Sequence, residues 1–114
     1  MNLSDLFGGG QGFQGAAVEV NATSLYNVTD SVITSLPAYF CGLVASHSYD
    51  GGGTIGVTNV SIKNGDSEIF YINTGRGNSI ATTFTPCYIS CPNGIKGTVG
   101  GYYAGSATIF WRLA

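Results

Sequence analysis

The chain has 114 residues, a formal net charge of −2, and only 9% charged against 44% hydrophobic residues. That is the length of one domain with enough apolar residues for a core, and it lacks the charge-rich, apolar-poor composition of disorder. The basic residues Lys63, Arg76, Lys96 and Arg112 stand singly, which excludes the electrostatic footprint of a nucleic-acid binder, and no apolar run approaches the ~20 residues of a membrane-spanning helix.

Eleven Thr, nine Ile and eight Val make the chain strongly β-branched, and two Lys with two Glu leave few helix formers for a solvated face. Eighteen Gly supply turns. The expected fold is all-β, a small antiparallel β-sandwich or barrel of about seven or eight strands, jelly-roll or Ig-like.

Residues 1–15 differ in kind from the rest. Leu3, Leu6 and Phe7 lead into a Gly/Gln tract that ends near Phe13. Gly this dense is costly to order without a partner, so the stretch reads as a flexible arm able to dock on a neighbouring subunit. Residues 1–10 contain an acid and no basic residue, so no secretory signal is expected.

Residues 16–114 read as the single β-domain. Val18 and Val20 suggest a short half-buried strand, and one or two more short strands are expected around Leu25–Val28 and Ser31–Thr34, broken up by Asn21, Asn27 and Asp30. Residues 38–46, AYFCGLVAS, are apolar on both faces and read as a buried strand. His47 to Gly53 is a loop. Residues 54–73 then form the strongest hairpin signal, two apolar runs joined by Lys63-Asn64-Gly65-Asp66.

In the first arm of that hairpin Ile55 and Val57 lie on one parity, and Val60 and Ile62 on the other. A β-bulge is expected at Thr58-Asn59. The second arm, Ile69 to Ile72, is apolar on both parities, as in a strand covered on both sides. A long strand from Ile80 to Tyr88 bends at Pro86. Cys91-Pro92-Asn93-Gly94 is a tight turn. Over the last stretch Ala107, Ile109, Trp111 and Leu113 alternate with Ser106, Thr108, Phe110 and Arg112, the cleanest period-2 pattern in the chain.

The catalytic inventory is short. Asp66 and Glu68 flank a turn, where carboxylates are ordinarily solvated, and no flanking signature supports Cys41 or Cys87 with His47 as a nucleophile pair. The glycines at 51–53 precede a strand and have no phosphate-loop Lys. Cys87-x-x-x-Cys91 is not a zinc spacing, so reduced buried thiols are expected, with one disulfide and a spare thiol as the alternative. Asn21, Asn27 and Asn59 begin chance matches to the glycosylation sequon. No cofactor, metal or catalytic residue is expected.

An uncharged polar surface of Thr, Ser, Asn and Gly favours association. The expected role is a non-enzymatic structural subunit of a large assembly. The setting expected is a virus or bacteriophage virion, as capsid decoration or cement or as a neck or tail component, assembled in the host cytoplasm. Partners are other copies, with a trimer favoured, and other virion subunits, without nucleic acid or membrane. Leu3, Leu6, Phe7 and Phe13 in the arm, and Tyr49, Phe70, Tyr71, Tyr102 and Tyr103 on the surface, are the candidate contacts. The alternative is a small carbohydrate-binding or adhesin module using the His47–Gly53 loop and Tyr102-Tyr103.

Overall fold

The computed structural model describes residues 19–47, 56–74, 81–84 and 88–114, and only the backbone of 47 and 81–84. The arm with Leu3, Leu6, Phe7 and Phe13, the Val18 position, the loop with Tyr49, and Arg76, Pro86 and Cys87 lie outside the described residues.

The described residues form nine strands and no helix. They are β1 (Asn21–Tyr26), β2 (Val28–Thr34), β3 (Ala38–His47), β4 (Val57–Asn64), β5 (Ser67–Asn73), β6 (Ala81–Phe84), β7 (Ile89–Cys91), β8 (Ile95–Tyr102) and β9 (Ala104–Leu113). Sheet A has the order β1-β9-β3-β6, and β7 also pairs with β3. Since β6 and β7 line the same edge of β3, sheet A is four strands wide with one interrupted edge. Sheet B has the order β2-β8-β4-β5.

Every pairing is antiparallel and the pairs nest: β1 with β9, β2 with β8, β3 with β6 and β7, β4 with β5. This is one long hairpin rolled into two layers, the jelly-roll order rather than the immunoglobulin one. The β4–β5 hairpin is its tip. The sandwich expected from composition is therefore present, with nine strand segments in eight sheet positions.

The core follows from alternation. Leu25, Phe40, Leu43, Val60, Ile62, Ile95, Val99 and Ile109 all point between the sheets and are buried. Phe40 and Leu43 are three residues apart yet both face inward. A bulge at Cys41-Gly42 makes this possible, because Phe40 pairs with Trp111 and Gly42 with Phe110. The Trp111 indole N–H, at the rim, donates to Thr23 Oγ1 at 3.0 Å.

Several local expectations are corrected. The two-residue loop of the β4–β5 hairpin is Gly65-Asp66, since Asn64 pairs with Ser67. Gly65 takes φ +58°, which suits Gly at the first central position of a II′-type turn. The Asn64 carboxamide oxygen instead accepts the Asn93 N–H at 2.9 Å, joining this turn to the β7–β8 turn. The bulge in the hairpin falls at Ile69, opposite the Ile62–Lys63 step, and not at Thr58-Asn59. Strand β4 keeps one parity because Thr58 is buried in line with Val60 and Ile62. Its hydroxyl accepts the Gly105 N–H at 2.7 Å and donates to the Ser46 carbonyl at 2.6 Å, so the polar group is satisfied inside the core.

Strand β5 is an edge of sheet B rather than a central strand, with Ile69, Phe70 and Ile72 partly buried against the core. The first two strands divide at Asn27, whose φ of +47° turns the chain between them. Of the expected strand at Val18 and Val20, Val20 lies before β1, which begins at Asn21, and Val18 is outside the described residues.

Candidate interaction face

The outer faces of the two sheets have different chemistry. Within the strands of sheet B lie Asp30, Lys63, Glu68 and Lys96, with Asp66 in the adjoining turn. Four of these five groups form two ion pairs. Lys63 reaches Asp30 at 2.9 Å and Lys96 reaches Asp66 at 2.8 Å. Lys63 and Lys96 are register partners, so two cations side by side are each offset by an acid from a different element.

Hydroxyls and amides complete this surface. The Asp30 N–H donates to Thr98 Oγ1 at 2.9 Å, and the Ser61 hydroxyl donates to Glu68 Oε1 at 2.6 Å. Asn59 Oδ1 accepts from the Tyr71 hydroxyl at 3.1 Å and from the Asn73 amide. The hydrogen bond from Lys63 holds the Asp30 carboxyl below its ordinary pKa, and that from Lys96 does the same for Asp66; Asp66 in turn raises Lys96.

Sheet A carries one Lys, Arg, Asp or Glu in all its strands, Arg112 of β9. Alternation that turns Ile109 and Trp111 inward turns Thr108, Phe110 and Arg112 outward. Phe110 lies beside Ala22 and Gly42, and Thr108 beside Ser24 and Val44. Arg112 pairs in register with Tyr39, and its guanidinium carbon is 4.9 Å from the Tyr39 ring centre and 5.2 Å from that of Tyr88. Stacking of this kind holds a planar cation against an apolar surface.

Arg112 is in neither ion pair. Its Nε–H is buried and, among the described residues, has no hydrogen-bond partner. Tyr88 is 66% exposed, and Val20, just before β1, is 50% exposed. Arg and aromatic residues without Lys, Glu or Asp is the composition that marks the centres of protein–protein interfaces.

The β8–β9 turn is a second feature. Tyr102 and Tyr103 are each half exposed, with ring centres 4.6 Å apart in a T-shaped contact. Tyr103 has φ +48°, an outlier for an aromatic residue. The turn is braced from below: Gly105 is held by the Thr58 hydroxyl, and a Cβ on Gly101 would lie 2.1 Å from the Val57 carbonyl oxygen.

The surface residues singled out in the sequence do not gather at one place. Tyr71 is exposed on the polar face of sheet B, while Tyr102 and Tyr103 sit at the end of the sandwich. Phe70 turns inward, its ring 5.5 Å from that of Phe40, and packs partly buried against the core. Asp66 and Glu68 are engaged with Lys96 and Ser61. Cys41 and Cys91 are free thiols, and burial pushes both above the ordinary thiol pKa.

The reading of the sequence missed the grouping of Phe110, Arg112, Tyr39 and Tyr88. The available signal was the outward parity of the last strand, Phe110-x-Arg112 opposite Ile109-x-Trp111. Among the described residues no three His, Cys, Asp or Glu side chains converge as metal ligands would. Comparisons of the chain with protein-family models, with curated proteins and with solved structures return no match.

Proposed function

We propose that this protein is a non-enzymatic structural subunit that associates with copies of itself and with other subunits of a large assembly, through the outer face of sheet A. The observation that carries this reading is Arg112, a cation set against the rings of Tyr39 and Tyr88 and the one Lys, Arg, Asp or Glu in the described strands of sheet A. Arg and aromatic side chains grouped without Lys, Asp or Glu are favoured at interface centres, and the guanidinium is a fork of N–H donors suited to an acceptor from another chain.

The assembly we favour is a virion. That setting rests on fold-level analogy, because jelly rolls build viral capsids but also lectins and cupins. Capsid or tail genes beside the gene for this chain would support it. Light scattering on the purified protein tests association: an oligomer, with a trimer favoured, is expected. A monomer at every concentration would defeat the reading.

A second reading has its own observation, the strained and braced Tyr102-Tyr103 turn. Exposed aromatic rings on a rigid turn are the groups on which sugar rings stack. A glycan array separates the two: a stable monomer that binds glycans, and loses them on Tyr102→Ala, is a carbohydrate-binding module instead.

A further inference from the structure

We propose that the Arg112 face of one copy receives the N-terminal segment of a neighbouring copy, with Asp5 set against the Arg112 guanidinium and Leu3, Leu6 and Phe7 over Phe110. This rests on the assembly reading above and names the occupant of its surface. Charge complementarity is the first argument. Arg112 is the one charged side chain in the strands of sheet A, and Asp5 is the one charged side chain before Glu19.

Apolar content is the second. The face offers half-buried Phe110 and Val44 and exposed Val20 and Tyr88, and the segment offers Leu3, Leu6 and Phe7 around its acid. Reach is the third. Asn21 pairs with Trp111, so the chain enters its own domain next to Arg112. The residues before Glu19 span up to roughly 60 Å when extended, enough to cross to the same face of an adjacent subunit. A contact that runs from one copy's segment to the next copy's face is head-to-tail and closes into rings when the rotation allows, as a trimer requires.

Charge reversal on the full chain tests this, read by sedimentation equilibrium. Asp5→Arg and Arg112→Asp are each expected to weaken self-association about tenfold or more. Mixed together, the two variant chains should associate more tightly than either alone, because two of the three contacts in a mixed ring of three then join opposite charges. The double variant in one chain should recover as well. A mixture as weak as its components overturns the proposal and means that the segment folds onto its own domain.

Single reversals that associate like the wild type overturn the proposal and leave the assembly reading standing. A wild-type chain that is monomeric overturns both. Should Arg112→Asp fail to fold, Asp5→Arg alone decides the matter, since Asp5 precedes the first described strand in sequence: unchanged association sinks the proposal.

Discussion

The two sheets share one core and present opposite outer faces. Sheet B turns out Asp30, Lys63, Glu68 and Lys96, and each of these has a partner on its own surface. Sheet A turns out Phe110, Tyr39 and Arg112, and its one strand charge lacks a carboxylate among the described residues. A surface whose polar groups are already paired gains little by meeting another protein, since contact would first have to desolvate or break those pairs. On a surface of aromatic rings around a single stacked cation, burial of the rings is favourable, and the cost of desolvating the cation is offset where a partner supplies an acceptor. The difference between the faces is thus one of unfinished bonding rather than of exposed area.

The comparison is sharpened first by neighbours on one strand. Ile109 points into the core and Phe110 points out. Ile109→Ala should cost about 2–5 kcal/mol in urea denaturation, through lost transfer energy and a residual cavity. Phe110→Ser should cost far less stability and act instead on association. Equal destabilisation by the two would mean that Phe110 is part of the core and that the outer face of sheet A is not free.

Next, Thr58→Val should cost about 1–3 kcal/mol, because it strips partners from the Gly105 N–H and the Ser46 carbonyl inside the sandwich. It marks the difference between polar groups that the fold needs and those that decorate sheet B. Arg112→Ala should lower stability by only about 1 kcal/mol, from two lost ring contacts, while weakening association about tenfold. A large stability loss with no change in association would recast Arg112 as a purely structural residue.

The smallest effect belongs to the paired face. Asp30 and Asp66 have folded pKa values below their ordinary one, so their contribution is present above about pH 4 and is lost as pH falls through the folded values. Lys96 is raised, so its contribution is present below about pH 10 and is lost as pH climbs through its folded value. Thermal melts should be flat from about pH 4 to about pH 8, decline slightly below pH 4, and decline above about pH 8.5 as the thiols of Cys41 and Cys91 ionise in the unfolded chain while burial keeps them neutral in the folded one. Because both pairs are solvent-exposed, 1 M salt should remove most of the decline on the acid side. A steep acid transition that survives salt would point to groups other than these pairs.

Much of the fold was legible because sandwich strands alternate. The parity of Ala107, Ile109 and Trp111 read directly as the inward face of β9, and residues 38–46 read as a strand. Legibility failed where one residue broke the period for a reason remote in sequence. Thr58 looked like a parity switch because a hydroxyl was not expected in the core, and the groups that satisfy it are Ser46 and Gly105. The contact of Phe70 with Phe40 likewise joins strands of different sheets, which no local pattern announces.

The asymmetry of the faces was not legible at all. Asp30, Lys63 and Lys96 come together only because β2, β8 and β4 are neighbours, and strand order depends on how the long hairpin rolls. Tyr39, Tyr88 and Arg112 are likewise brought together by β3, β7 and β9 lying side by side.

The matched pair Tyr88 and Tyr71 tests the central claim most directly. Both are exposed tyrosines, at 66% and 54%, one beside Arg112 and the other on the paired face of sheet B. In sedimentation equilibrium, Tyr88→Asp should raise the dissociation constant at least about tenfold and yield a folded monomer, with Tyr71→Asp associating like the wild type. Dissociation by Tyr71→Asp with none by Tyr88→Asp would place the interface on sheet B and its β5 edge, and contradict the account.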